Sequence, residues 1–147
     1  MKSWVIGCVV LVVGACAGSA VTALATAPPE VRAATSLVRH VAPHGKARVI
    51  PLAQGSNAWL GILELDAGVA VPEHQDPTEE YIHVLSGGGQ ITIDGTEHRI
   101  RTGDTVFMPA NATVSYTNGP TALKAMQVFA GPSPAKKYAS WPPRAQN

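Results

Sequence analysis

The sequence predicts an all-β domain, either a sandwich or a barrel of short antiparallel strands. Between residues 49 and 130, short apolar segments alternate with turn signals at regular intervals, which is typical of such folds. The chain holds 14 glycines and 12 prolines among its 147 residues, and this favours many turns over long helices. No segment of that range repeats apolar residues with a helical period, so a helical core is excluded.

The predicted strands follow one another closely, and a hairpin turn joins one pair of them. Asp94-Gly95 lies between two strand-like segments, and both central positions of a type I′ turn need the positive φ that Asp and Gly tolerate. The predicted strands are 59–65, 80–85, 90–93, 97–101, 105–108, 113–116 and 122–129.

The composition excludes several classes of protein. Hydrophobic residues make up 46% and charged residues 14%, which is too apolar for a disordered chain and too poor in charge for a coiled coil. The net charge of +1 gives no overall field for nucleic acid, so no nucleic-acid partner is expected. Eight acidic residues and no Lys or Arg lie between Arg48 and Arg99, and charge alone favours a solvated acidic face there.

Residues 1–25 are predicted to be an export leader. Lys2 precedes an uncharged apolar stretch, and Ala23-Leu24-Ala25 is a cleavage site of the small-x-small type. Two alternatives stay open. The segment from Val13 to Cys16 resembles a bacterial lipoprotein box, and the uncharged stretch is also long enough to be an uncleaved membrane anchor. All three interpretations place the domain outside the cytoplasm, periplasmic or secreted, and only the leader would contact the membrane.

Three segments are predicted after the leader. Residues 26–48, rich in Ala and Pro, are interpreted as an N-terminal arm or linker with a short helical turn at 31–41. Residues 49–130 form the β-barrel. Residues 131–147 form a Pro-rich C-terminal tail, which we expect to be irregular and held in place by Tyr138 and Trp141.

Two stretches carry a family resemblance. The first consists of Gly68, His74, Asp76, Glu80 and Gly87, and the second of Gly103, Pro109, Asn111, Val114 and Asn118. Their residue types and spacing resemble the two motifs of the cupin superfamily. The chain departs from the motifs at three positions: Asp76 stands where the family usually has His, Asn111 replaces a Gly, and Val114 replaces the usual metal-binding His.

The resemblance covers residues from about Ile50 to Phe129 and implies a small type-2 cupin, a double-stranded β-helix or jelly-roll barrel with an internal pocket. In members that bind metal, the first motif supplies two His and one Glu, and the second supplies a third His. Carried over to this chain, the implied ligands are His74, Asp76 and Glu80, without a fourth ligand at Val114. The implied cofactor is a single divalent ion, Mn, Fe, Zn or Ni, or none.

The residues themselves support such a trio. His74 and Asp76 are two positions apart, so both side chains lie on one face of an extended chain. One imidazole with two carboxylates suits Mn²⁺, Mg²⁺ or Ca²⁺ better than Cu⁺, and zinc and Fe²⁺ are also compatible. The alternative is a site without metal, in which His74 and Glu80 hydrogen-bond each other and Asp76 caps a turn.

Val114, Tyr116 and Gln127 are the candidate ligand-binding residues. Val114 would make the pocket drier, and Tyr116 shares its strand face and offers a phenol to a ligand. Gln127 alternates with Ala125 and Phe129, which places it on an inward face. The alternative is that Tyr116 is exposed and Gln127 points outward.

Three functions stay open. The first is an exported cupin-domain protein that binds a small molecule in the barrel, with or without metal. The second is a metal-dependent small-molecule enzyme of the dioxygenase or isomerase/epimerase type. The third is a structural or interaction module whose pocket is filled by side chains such as Met108, Met126 and Phe129. The resemblance also implies a homodimer, with Tyr81 and His83 on the paired sheet face.

Overall fold

Two antiparallel β-sheets pack face to face in the computed structural model, which describes residues 28–144. Their facing sides bury one apolar core, to which both sheets contribute. Because apolar residues alternate with polar ones along the strands, each sheet has one face in the core and one in solvent. The predicted all-β, jelly-roll fold is therefore confirmed.

The described residues contain eleven strands and two short 3₁₀ helices. The strands are β1 Arg39–Val41, β2 Ala47–Gln54, β3 Trp59–Leu65, β4 Ala70–His74, β5 Glu80–Ser86, β6 Gly88–Ile93, β7 Thr96–Arg101, β8 Thr105–Met108, β9 Val114–Asn118, β10 Leu123–Phe129 and β11 Pro143–Arg144. The 3₁₀ helices are Ala34–Ser36 and Pro134–Ser140. The larger sheet has the order β11-β1-β2-β3-β10-β5-β8, and the smaller has the order β4-β9-β6-β7.

The hairpin predicted at Asp94-Gly95 joins β6 and β7. Ile93 pairs with Thr96 across the turn, and the φ angles of Asp94 and Gly95 are 47° and 78°. Both central residues thus have the positive φ that a two-residue type I′ turn requires.

All seven strands predicted from the sequence are present, with ends that differ by up to two residues.

The predicted N-terminal arm and C-terminal tail both differ from the structure. Within the segment 26–48, the chain forms a single 3₁₀ turn and then β1 and the start of β2, so the boundary at residue 48 cuts through the sheet. His40 of β1 pairs with Val49 on one side and with Pro143 of β11 on the other. The pairing of His40 with Pro143 joins residues about a hundred positions apart, and a local pattern of Ala and Pro does not show it.

The C-terminal segment is regular where an irregular tail was expected. Residues Pro134–Ser140 form a 3₁₀ helix, and the ring of Tyr138 packs 5.6 Å from that of Trp59 and 4.9 Å from that of Trp141. Phe129 completes this aromatic cluster. Tyr138 and Trp141 therefore do hold the segment in place, and they do so by packing the helix against the barrel.

The predicted leader, residues 1–25, lies outside the described residues. Within residues 28–144, no helix has the length and apolar character that crossing a membrane requires.

The outer face of β5 and β8 carries exposed aromatic rings. Tyr81 and Phe107 are 38% and 49% exposed, and their ring centroids lie 5.1 Å apart. His83 lies further along β5, where its ring bonds the hydroxyl of Thr105 (2.9 Å). Tyr81 and His83 thus point away from the core, as the alternation along β5 predicts.

Gly87 is expected to be essential for folding because a side chain there has no room. Its φ is +79°, and a Cβ atom would collide with the backbone carbonyl of Ala122. Gly87→Ala should lower the free energy of unfolding by about 2–4 kcal/mol, since left-handed strain adds to a backbone clash. Urea unfolding followed by circular dichroism measures this loss. Gly55→Ala is the control, because Gly55 is exposed and has open space around it. Equal stability of the two variants would contradict the expectation.

Candidate metal centre and ligand cavity

Three acidic or imidazole side chains converge where β4 leads into β5. His74 ends β4, Asp76 lies in the connection, and Glu80 begins β5. The connection is fixed from the side, because the backbone N–H of Asn111 donates a hydrogen bond to the carbonyl oxygen of Asp76 (2.7 Å). Asn111 has a φ of 62°, a left-handed conformation that Asn tolerates and that explains why it can stand where the family motif has Gly.

The donor atoms of the trio all lie within 4.8 Å of one another. Nε2 of His74 and Oδ2 of Asp76 lie 4.0 Å apart. Nδ1 of His74 lies 2.9 Å from the carbonyl oxygen of Pro72, so a proton on Nδ1 leaves the lone pair of Nε2 free on the side of Asp76. The described structure contains no hydrogen bond between His74 and Glu80, the pairing that the metal-free alternative expected.

Glu80 is the buried member of the trio. Glu80 is 8% exposed, and its Oε1 accepts a hydrogen bond from Nε2 of Gln127 (2.6 Å). Gln127 in turn accepts one from the hydroxyl of Tyr138 (3.0 Å). Burial raises the pKa of Glu80 above its ordinary value, although the hydrogen bond from Gln127 and the nearby charge of Lys137 oppose the shift. Burial likewise raises the pKa of Tyr138. Its hydroxyl therefore stays protonated and donates the hydrogen bond to Gln127.

Lys137 is a member of this site that the sequence did not reveal. Its Nζ lies 3.0 Å from Oδ2 of Asp76, and the two residues are 61 positions apart in the chain. The only signal in the sequence is the excess of basic residues after Asp104, which does not say where any one of them docks. The ion pair shows that the negative charge of the trio attracts a cation.

A cavity of about 430 Å³ opens beside the trio in the barrel interior. Apolar side chains from both sheets form most of its surface: Leu65, Val69, Val71, Ile82, Ile91, Ile100, Met108, Val114 and Leu123. His74, Asp76, Glu80 and Lys137 lie at its polar end. Side chains therefore leave this space open. Of the three residues expected to fill it, Met108 lines the cavity, Phe129 lies in the aromatic cluster, and Met126 is not among the lining residues.

The three predicted ligand-binding residues all line this cavity. Val114 is the cross-strand partner of His74, so the position of the family's usual fourth ligand does lie beside the trio. Gln127 is engaged with Glu80. The hydroxyl of Tyr116 donates to Oδ1 of Asn118 (3.0 Å), and burial raises the pKa of Tyr116 to about 12. Tyr116 thus offers the cavity its ring and a protonated phenol.

The trio fits a single divalent metal ion. Imidazole and carboxylate donors at one cavity end match the preferences of Mn²⁺, Fe²⁺ and Zn²⁺. Two donors that share an ion at about 2.1 Å each lie at most about 4.2 Å apart, so a small side-chain rotation would bring the trio around an ion. Because His74 and Asp76 lie on an edge strand and a short connection, this adjustment does not disturb the core.

The comparisons with known proteins agree with this fold. Residues 61–129 match the family model described as Cupin domain. The chain therefore contains a small type-2 cupin domain over these residues.

Relatives and solved structures share the same domain. A dimethylsulfoniopropionate lyase, DddW, from Ruegeria pomeroyi is 33% identical over 95 residues, which cover 61% of this chain and 62% of that relative. The chain thus spans about three fifths of its length. An RmlC-like cupin from Shewanella frigidimarina superposes with a TM-score of 0.64 at 15% identity, over 71% of this chain and 92% of the other. A predicted oxalate decarboxylase from Thermotoga maritima gives 0.62 at 20% identity, over 69% and 99%. At these identities the two structures show the fold alone.

We expect Glu80→Gln to separate metal binding from folding. Since burial raises the pKa of Glu80 above its ordinary 4.5, the contribution of this carboxyl to stability is complete below about pH 4.5 and is lost as pH rises through the folded pKa. Without metal, Glu80→Gln should match or exceed the wild type in melting temperature at pH 7, because the amide never has to ionise. Added Mn²⁺ or Zn²⁺ should stabilise the wild type and leave the variant unchanged.

Glu79→Gln is the matched control for that comparison, because Glu79 is the exposed neighbour that accepts a hydrogen bond from Tyr81. It should keep both the metal response and the pH dependence of the wild type. A Glu80→Gln protein that has lost its β spectrum would show that Glu80 is structural, and the ligand assignment would lose its main support.

Proposed function

We propose that the protein is an exported cupin that holds one divalent metal ion with His74, Asp76 and Glu80 and binds a small molecule in the adjoining cavity. One observation carries the proposal: the three donor atoms lie within 4.8 Å of one another at the polar end of a cavity of about 430 Å³. A mostly apolar pocket with a few convergent polar groups is the usual form of a small-molecule site.

The open cavity favours a binding protein over a structural module. A filled barrel would have apolar side chains in van der Waals contact across its centre, whereas here an open space adjoins three metal-binding donor atoms. The cavity volume lies within the range usual for small-molecule sites. Both observations support a bound ligand that contacts the metal and the apolar surface together.

The chemistry of the site follows from its three protein ligands. A bound divalent ion would act as a Lewis acid toward an oxygen of the ligand, since only part of its coordination would come from protein. Pro72 orients the ring of His74 through its carbonyl oxygen, and Gln127 holds the carboxylate of Glu80. The apolar residues limit water around the ligand.

A metal-dependent enzyme is the second candidate, and the resemblance to the dimethylsulfoniopropionate lyase of Ruegeria pomeroyi favours it. That activity would place a small substrate in the same cavity, against the same metal. The binding function stays the first proposal, since the cavity and the donor trio support it without any assumption about turnover.

Export and self-association are also parts of the proposal. The apolar leader with its cleavage site supports a periplasmic or secreted protein, with lipidation at Cys16 as the alternative.

Exposed Tyr81 and Phe107 on the outer face of β5 and β8 support a homodimer. Sedimentation equilibrium at micromolar concentration is expected to give the mass of a dimer, and a monomer would remove that part of the proposal.

The metal proposal predicts that the purified protein holds one equivalent of Mn, Fe, Zn or Ni. The full chain is expressed with its own leader and purified without chelator and without a metal-binding tag, and plasma mass spectrometry measures its metal content. His74→Ala should lose this metal, because two carboxylates remain and one of them pairs with Lys137. The intact mass of the same sample shows whether the leader was removed.

His98→Ala is the control variant, because His98 is an exposed histidine on β7, outside the trio. It should keep its metal. Equal metal content in His74→Ala and the wild type would overturn the site, as would a wild type that takes up no metal on soaking. Consumption of dimethylsulfoniopropionate by the metal-loaded protein, followed by proton NMR, would make the enzyme the first candidate.

A further inference from the structure

Lys137 is held at the cavity by the fold around it. It lies on the 3₁₀ helix Pro134–Ser140, next to Tyr138, whose ring is packed between Trp59 and Trp141. Its Nζ lies 5.2 Å from the ring centroid of Phe129 and 3.0 Å from Oδ2 of Asp76. Because its helix is anchored by a buried aromatic residue, the backbone of Lys137 has a defined place beside the cavity, and its side chain reaches Asp76.

The charges around the cavity do not balance once a metal is bound. Asp76 and Glu80 are the acidic side chains among its described lining residues, and Lys137 is the only Lys or Arg. Two carboxylates neutralise one divalent ion. The ammonium of Lys137, whose side chain is 41% exposed, would then have lost its partner on Asp76 and could pair with another anion at the cavity mouth.

We propose that the cavity takes a monoanionic ligand, a carboxylate on an apolar body, and that Lys137 binds this carboxylate when a metal ion occupies Asp76. The inference rests on the proposed metal site and adds the class of ligand. A single negative charge restores neutrality at the polar end of the cavity, and the apolar residues contact the rest of the molecule. An ammonium beside a carboxylate forms a charge-assisted hydrogen bond, whereas a cationic ligand would meet both the metal and Lys137.

The experiment compares benzoate with benzamide, two probes of nearly the same shape that differ in charge. Equilibrium dialysis measures their affinities for the Zn²⁺-loaded full chain and for the metal-free chain. Lys137→Gln in the loaded protein should bind benzoate about tenfold more weakly than the wild type, the scale of one partly exposed charged hydrogen bond. Its affinity for benzamide should not change. Metal-free protein should bind the two probes equally, because Lys137 is then engaged with Asp76.

Lys136→Gln is the matched control, since it makes the same change in charge on the neighbouring helix residue, which is exposed and does not line the cavity. It should bind benzoate as the wild type does. Lys137→Arg should retain most of the benzoate affinity, which separates a role of the charge from damage to the helix. Lys137→Gln should also bind Zn²⁺ several-fold more tightly, because it lacks the cation that competes for Asp76.

The outcomes distinguish this inference from the proposal on which it rests. Stoichiometric Zn²⁺ with equal benzoate affinity in Lys137→Gln and Lys136→Gln would overturn the role of Lys137 and leave the metal site standing. Failure of the wild type to take up Zn²⁺ would overturn the metal site, and the inference with it. Preference for benzoate over benzamide in the metal-free protein would contradict the exchange of partners at Lys137.

Discussion

The site depends on a buried carboxylate and on the two side chains that make its burial tolerable. Glu80 is 8% exposed inside an apolar barrel, where an unpartnered carboxylate would cost several kcal/mol. Gln127 donates to it from β10, and Tyr138 donates to Gln127 from the C-terminal helix. This chain of hydrogen bonds joins the two neighbouring strands β5 and β10 to the C-terminal helix. It fixes the carboxyl group at the cavity, where a bound cation would favour its charged form.

The same chain of contacts explains why the C-terminal helix has a defined position. Tyr138 combines a hydrogen bond to a buried amide with ring contacts to Trp59 and Phe129. A helix of 7 residues is too short to be stable by itself, so its position comes from this packing. Lys137 is carried into the site as a consequence, and its partner Asp76 lies in the connection before β5. The buried carboxylate and the ion pair of Lys137 with Asp76 therefore both depend on the packing of Tyr138.

Predictions from the sequence succeeded where the information was local. The Asp94-Gly95 turn and the alternation in β5 and β10 specify conformation within a few residues, and the spacing of His74, Asp76 and Glu80 places three donors around one short connection. Strand β1 was missed because its pairing with β11 joins distant parts of the chain. Strand β4, which carries Pro72 and pairs only with β9, was missed because its pattern is weak. Lys137 could not be assigned, because its location depends on how an aromatic cluster packs.

The departures of this chain from the family motif are linked to the position of Lys137. Asp76 stands at a position where the resemblance implies an imidazole, which adds a negative charge to the trio, and Val114 removes a neutral ligand on the opposite strand. A site with one more carboxylate and two fewer imidazoles attracts cations more strongly. The described structure places a cation there from the chain itself, Lys137. Lys137 lies outside the residues 61–129 that match the cupin model. Because the compensating charge comes from outside the motif, the chemistry of this cavity has to be argued from its own residues, and similarity within the barrel cannot supply it.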